Sequence, residues 1–344
     1  MPRIELPISK SIANRLLILQ AIHGDGLMTV SCDMPDDVQI LHHALTTLHN
    51  TTQSFTTLHL SNCGTAMRFL TAYCAQLEGQ TIILDGVERM RQRPIGQLVN
   101  ALREIGAQIE YLGKEGFPPL RIKGCALNKN RIVRIDNPLS TQFVSALLLI
   151  GANVHSNSAS PYINITREII NQYSHKFKVL NSKFIIEKDW SSAAFWYEHV
   201  ALHDGEIHLP GLFRNSLQGD KVVAEIFSQL GVQTIYTSDG VIIQPIASTS
   251  KFLSWDFGLC PDLYPAVALT CEQLGITLQA TGTESLTIKE SDRLRAVREH
   301  RTEHDHRMAM ALIVAGYPVD DTDCIRKSYP QFLEQRNAVV NLQR

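Results

Sequence analysis

Twice this chain spells the same phrase: an amphipathic helical stretch, a glycine, then a short alternating strand. Over 97–105, Leu98, Ala101, Leu102 and Ile105 recur at i, i+3, i+4 and i+7, which predicts a helix with one apolar face. Gly106 stops it, and the stretch 107–112 (AQIEYL) alternates as a strand does. Over 222–236, Val223, Ile226, Phe227 and Leu230 share a face, Gly231 stops the helix, and VQTIY follows. A weaker third copy starts at Asp36 (DDVQILHHALTTL). The phrase occurs in both halves of 344 residues, so the expectation is an α/β protein built from duplicated units, in two domains or one large one. No Pro/Gly/Ser-rich linker or charge run marks the boundary.

Charge narrows the function. Lys plus Arg number 32 against 34 Asp plus Glu, a formal net charge of −2, so the basic excess of a nucleic-acid or anionic-membrane coat is missing. Seven cysteines without a C-x-x-C pair predict reduced thiols rather than a disulfide framework or zinc ribbon. Residues 1–10 lack an apolar core of signal-peptide length, and Asn14, Arg15 and Gln20 interrupt the stretch that follows. No apolar run approaches the roughly 20 residues of a membrane span, so a soluble cytoplasmic protein is expected.

The basic residues gather at helix starts. Ser9, Lys10 and Ser11 precede an amphipathic helix with Ser11 and Arg15 at i, i+4, and a helix start with free amides beside a lysine is an anion site. A serine N-cap with solvated charges would read the same way. Asn62-Cys63-Gly64-Thr65 opens another helix, where Gly64 lets a ligand approach the backbone and Thr65 and Arg68 share a face. Arg89, Arg91 and Arg93 alternate in what reads as an extended segment, pointing one way as an anion clamp, with Pro94 opening the next helix. Lys289 and Arg293 are also spaced i, i+4, although a solvated helix start explains them equally well. His300, His304 and His306 match no standard zinc spacing, and Arg307 would oppose a cation. Neither G-x-G-x-x-G, a Walker loop nor G-x-S-x-G is present. The pattern suits a small, multiply charged anion better than a polymer.

The segments LPISKSIANR, NCGTAMRFL, GVERMRQRPIG, PLSTQF, SLQGD, CPDLYP, IKESDR and DHRMAM stand in the order seen in the 5-enolpyruvylshikimate-3-phosphate synthase family. The chain resembles that family from about Leu6 to Lys327. The resemblance implies an α/β fold of two similar domains, each of repeated βαβαββ-type units forming an inside-out α/β barrel, with the active site in the cleft between them. It implies domains at 11–187 and at 1–10 plus 188–344, with the second crossover near Glu187. The implied reaction transfers the enolpyruvyl group of phosphoenolpyruvate to the 5-hydroxyl of shikimate 3-phosphate, with release of phosphate. No metal or organic cofactor and no macromolecular partner is implied, and a monomer is expected.

Carried over motif by motif, Lys10, Ser11, Arg15, Ser140, Thr141, Gln142, Tyr162, Asp262, Ser285 and Lys289 would bind shikimate 3-phosphate. Lys10, Asn62, Gly64, Arg93, Arg293, His306, Arg307 and Lys327 would surround phosphoenolpyruvate. Asp262, Glu290 and Lys10 would be catalytic, with Asp262 favoured as base and Glu290 as proton donor, the reverse order remaining open. Four positions depart from the family pattern: Ile8 for Gly, Cys63 for Ala, Ala159 for a phosphate-binding Ser flanked here by Ser158 and Ser160, and Ser285 for Asn or His. The chain is also short near 49–58, 154–158, 177–183 and 293–305, where the expectation is that segments are missing from the sequence, not that strands are truly deleted. Two alternatives follow: a non-catalytic anion-binding relative, if the deletions are real, and the enolpyruvyltransferase acting on UDP-N-acetylglucosamine. GVERMRQRPIG has no cysteine, which speaks against the latter.

Overall fold

A computed structural model describes residues 1–174, 186–247, 250–283 and 301–343. The chain forms two compact units, one from Lys10–Cys32 and Asp37–Ile185, the other from Met1–Ser9, Asp33–Asp36 and Ile186–Arg344.

In the first unit, α1 (Lys10–His23), α2 (Asp36–Asn50), β1 (Phe55–His59), α3 (Gly64–Ala75), β2 (Thr81–Asp85), α4 (Glu88–Arg91), α5 (Gly96–Glu104), β3 (Gln108–Tyr111) and β4 (Leu120–Lys123) follow one another. The strands form one sheet in the order β1-β2-β4-β3. β1 runs parallel to β2, while β4 is antiparallel to both β2 and β3. With α3 and α5 as the connections, this is a complete βαβαββ unit. Alternation puts Ile82, Leu84, Ile109, Leu120 and Ile122 on the buried face. Gly106 has φ +102°, the left-handed turn that lets the chain leave α5 and enter β3. A parallel pair follows, β5 (Val133–Arg134) and β6 (Val154–His155), joined through α6 (Thr141–Leu149), and then α7 (Pro161–Gln172).

α8 (Trp190–His203), β7 (Ile207–Pro210), α9 (Val223–Gln229), β8 (Val232–Tyr236) and β9 (Gly240–Pro245) repeat this design in the second unit. Their sheet has the order β7-β9-β8, with β9 antiparallel to both neighbours. The strand that β1 would supply comes from the far end of the sequence. Arg3 bridges His208 in parallel, the Ile4 amide donates to the His208 carbonyl at 2.9 Å, and the His208 amide donates to the Pro2 carbonyl at 2.9 Å. The N-terminal residues thus complete a copy whose other strands lie two hundred residues later. β10 (Phe252–Asp256) and β11 (Thr277–Thr281) form another parallel pair around α10 (Tyr264–Gln273), and α11 (His306–Val314) and α12 (Phe332–Gln343) follow. Among the described residues no helix is long and apolar enough to cross a membrane.

Two of the short junctions close directly. Asn50 ends α2 and Phe55 opens β1 after four intervening residues, and β6 follows α6 after four more. The junctions near 177–183 and 293–305 fall wholly or largely outside the described residues.

Helices that carry a sheet on one side usually show solvent a polar face, but several here are buried nearly all round. In α8 every residue from Ser192 to Val200 is buried. That stretch includes Glu198, 0% exposed, with neither carboxyl oxygen hydrogen-bonded. Burial raises its pKa well above the usual carboxylate range, which favours the neutral acid. A folded-state pKa above the unfolded one stabilises fully only below the unfolded value, and that contribution is lost as pH rises towards the folded value. Glu198→Leu is therefore expected to stabilise the protein by about 1–3 kcal/mol near neutral pH, and by less at pH about 4.5. Urea denaturation at both pH values checks this; a gap independent of pH would contradict it.

Candidate active site

Buried helices need partners for their first amides, and the motifs of this chain sit where those partners are required. Cys63 caps α3, its Sγ accepting from the Ala66 amide at 3.4 Å and its thiol donating to the Asp37 carbonyl at 3.6 Å. Ser140 caps α6 through the Gln142 amide at 3.4 Å, so Ser140 and Thr141 lie at that helix start. Gln142 joins the two starts: its Nε2 donates to Thr65 Oγ1 at 2.9 Å, and its Oε1 accepts from Arg68 at 3.0 Å.

Gly64, the first residue of α3, is hemmed in by cations. A Cβ there would lie 2.3 Å from one guanidinium nitrogen of Arg68 and 2.3 Å from one of Arg93. Burial pushes the Arg68 guanidinium down to about 9, and the charge of Arg93 pushes it the same way. Arg93 is lowered by burial as well, with Asp37 opposing. Lys10 Nζ stands 3.6 Å from the buried carboxylate of Asp37. Three cations against one carboxylate leave a positive surplus beside the open amides of a helix start, which an anion would neutralise. The side chain of Asn62, just ahead of Cys63, has its Oδ1 buried without a hydrogen bond.

The three arginines 89, 91 and 93 do not form one clamp. The segment expected to be extended is instead the short helix α4, which turns successive side chains apart. Arg91 pairs with Asp85, Nε to Oδ1 at 3.0 Å and a terminal nitrogen to Oδ2 at 2.7 Å, leaving Arg93 to face Gly64. Helix α5 begins at Gly96, with Ile95 as its cap, so Pro94 precedes it instead of opening it.

Arg15 is 2% exposed, and groups of the protein take its hydrogen bonds. Its Nε donates to Thr166 at 2.7 Å, and its terminal nitrogens donate to the Ser11 and Tyr162 carbonyls at 2.7 and 3.0 Å and to Ser145 Oγ at 3.2 Å. It braces α1 against α6 and α7, and in doing so fixes where Ser11 and Tyr162 stand. Ser160, next to the departed phosphate-binding position, caps α7 through the Tyr162 amide at 3.3 Å.

The second unit carries its own cluster. Asp305 caps α11 by accepting from the Arg307 and Met308 amides at 2.9 and 3.4 Å. The Arg307 guanidinium binds the Asp262 carboxylate and also reaches His306 Nε2 at 2.6 Å. A guanidinium can only donate, so Nε2 is the acceptor in this contact, and Nδ1 stands 4.0 Å from Asp305 Oδ1. Asp262 lies in the turn Pro261–Leu263 that leads into α10, and Lys327 ends the turn Asp323–Lys327, which packs against α11. Ser285, Lys289, Glu290 and Arg293 lie outside the described residues, as does His300.

Three further residues belong to these clusters. Arg68 and Asp37 complete the surroundings of Gly64 and Lys10, and Asp220 joins Asp262. Asp220 is 4% exposed and accepts a hydrogen bond from Ser191 Oγ. Burial raises its pKa, the neighbouring Asp262 adds to the rise, and the Ser191 bond and Arg307 oppose it. Arg68 was legible as the partner of Thr65 on one helix face, but nothing in the spacing of SLQGD singles out Asp220 from an ordinary helix-start acid.

A family model described as EPSP synthase (3-phosphoshikimate 1-carboxyvinyltransferase) matches residues 2–300 and 297–335. A 3-phosphoshikimate 1-carboxyvinyltransferase of Bacteroides fragilis (strain YCH46) is 37% identical over 389 residues, covering 96% of this chain and 93% of that protein. One of Vibrio cholerae serotype O1 (strain M66-2) is 30% identical over 409 residues, covering 96% and 95%. Among solved structures, an EPSP synthase from Acinetobacter baumannii superposes with a TM-score of 0.72 at 20% identity, covering 98% of this chain and 95% of that one; it speaks for the fold alone. Both alignments are longer than the 344 residues here, so the relatives carry internal segments without a counterpart in this chain.

The buried bonds of Arg15 give a direct test of its bracing role. Arg15→Met leaves hydroxyls and carbonyls of three helices without their donor and is expected to cost about 2–4 kcal/mol in urea unfolding. A guanidinium serving only a ligand would leave the stability of the free protein unchanged.

Proposed function

The chain belongs to the EPSP synthase family, and we propose that it transfers the enolpyruvyl group of phosphoenolpyruvate to the 5-hydroxyl of shikimate 3-phosphate, releasing phosphate. The observation that carries this reading is the pair of guanidinium groups, Arg68 and Arg93, packed against Gly64 at a helix start, with Lys10 paired to Asp37 in the same unit.

Phosphoenolpyruvate has two anionic ends, a carboxylate and a phosphate, and paired guanidinium donors suit each. Arg68 and Arg93 offer such donors at the Gly64 helix start, and Arg307 is a further guanidinium oriented by Asp262 and His306. Shikimate 3-phosphate falls to Lys10, Ser11, Ser140, Thr141, Gln142 and Tyr162, and Arg15 holds that set in place. In the addition step Asp262 takes the proton of the 5-hydroxyl as its oxygen attacks C2 of the enol, while Glu290 delivers a proton to the methylene carbon. In the elimination the Glu290 carboxylate takes a proton back from the new methyl group as the C2–O bond to phosphate breaks, and the proton on Asp262 goes to the departing phosphate, which restores the double bond in the product and both carboxyl groups. Lys10 and the arginines hold the leaving phosphate's charge as it develops.

Phosphate release from purified protein tests this reading. It is expected only when both substrates are present, and Arg93→Ala is expected to lower kcat/KM for phosphoenolpyruvate by about 100-fold or more. Release from phosphoenolpyruvate alone, or none at all, would reject it. Gly64→Ala is a sharper probe, because the added methyl must displace the ends of both Arg68 and Arg93. It is expected to raise KM for phosphoenolpyruvate about tenfold while KM for shikimate 3-phosphate moves much less. Steady-state kinetics with each substrate varied in turn decides this.

A further inference from the structure

Glu187 has no role in the chemistry above, yet its carboxylate accepts four hydrogen bonds. Oε1 takes the Trp190 indole N–H at 3.1 Å and the Phe213 amide at 3.2 Å. Oε2 takes the Ser216 hydroxyl at 2.5 Å and the Gln218 side-chain amide at 2.9 Å. Four donors fill the acceptor capacity of an ionised carboxylate, and a neutral amide could not serve them all. The donors come from only two places, the first turn of α8 and the loop 213–218. Gln218 ties the same two places again: its Oε1 accepts from the Trp190 amide at 3.1 Å, and its Nε2 also donates to the Lys188 carbonyl at 2.7 Å.

Those two segments carry the pair next to Asp262. Ser191 follows Trp190 on α8, Asp220 lies two residues beyond Gln218, and the Ser191 hydroxyl donates to the Asp220 carboxylate. Whatever fixes α8 against the loop therefore fixes that hydrogen bond. The backbone of Glu187 is itself anchored, its carbonyl accepting from the Ser9 amide at 2.8 Å while the Asp189 amide donates to Pro7 at 3.0 Å. The apolar packing of α8, by contrast, engages Trp190, Phe195, Trp196 and Val200 in the core and does not need the carboxylate.

We infer that Glu187 is a positioning residue, which sets the Ser191–Asp220 hydrogen bond by tying the first turn of α8 to the loop 213–218. Its relevance to turnover rests on the proposed transferase reaction; its effect on Asp220 does not.

The test is a double-mutant cycle of Glu187→Gln and Ser191→Ala, read in two ways on the full chain. The first readout is the titration of the Asp220 carboxyl carbon by NMR, assigned through its loss in Asp220→Asn. A hydroxyl donor favours the charged carboxylate, so Ser191→Ala raises the titration midpoint. Glu187→Gln is expected to raise it in the same direction, and the double variant no further than Ser191→Ala alone. The second readout is kcat for phosphate release: each single variant is expected to lose about tenfold, and the double variant no more than the worse single one. An Asp220 midpoint unmoved by Glu187→Gln, or effects that simply add, overturns the inference. Should Glu187→Gln fail to fold, Ser216→Ala removes one of the four donors and is expected to move the midpoint the same way by a smaller step; no movement would overturn the inference equally. A wild-type protein that releases no phosphate counts against the transferase, and the carboxyl titration still judges Glu187.

Discussion

A helix buried on nearly every side has four amides at its start that water cannot reach, and this structure is organised around satisfying them. α3, α6, α7, α8 and α11 each begin on a capping side chain: Cys63, Ser140, Ser160, Asp189 and Asp305. A cap settles one or two amides and leaves the rest available, with the positive end of the helix dipole behind them. Adding lysine and arginine at the same places turns a folding requirement into a means of holding anions. Lys10, Arg68 and Arg93 in one unit and Arg307 in the other stand at or beside such starts.

The cations would repel one another if nothing shared their field, and the protein supplies just enough negative charge to hold them without neutralising them. Asp37 answers Lys10 and offsets the burial of Arg93; Asp262 answers Arg307. Arg15 differs, because Ser11, Tyr162, Ser145 and Thr166 take four of its five N–H donors and tie it into the frame. Arg91 is diverted to Asp85 in a similar way. Two arginines that look equivalent to Arg93 in a list of letters thus end up as struts, and only the local fold separates them.

That distinction marks how far the sequence could be read. The helix–glycine–strand phrases appear as written, because Gly106 and Gly231 both sit at positive φ where a helix gives way to a strand, and amphipathic spacing leaves little freedom. Three of the motifs hold the cap of a helix, Cys63, Ser140 and Asp305, a local rule visible in a few letters. Long-range partners were out of reach. Nothing near Lys10 announces Asp37, and the parallel pairing of residues 2–4 with β7 joins positions two hundred residues apart. The run 89–93 misled for a physical reason: alternation implies one-sided display only in an extended chain, and a single helical turn at Glu88–Arg91 removes it.

The same constraint separates what a marginal strand contributes from what a buried helix contributes. A strand at the margin of a sheet, such as β1, has a mostly exposed burial pattern and contributes one hydrogen-bonded edge. A buried helix contributes core packing, a cap and a charged group at its start all at once. Among the described residues, the two parallel pairs β5–β6 and β10–β11 carry only two strands each, while the helices they flank, α6 and α10, remain deeply buried. α2 passes to β1 in four residues. The described helix starts that hold a cation thus stand on helices packed in the core, not on the sheet margins.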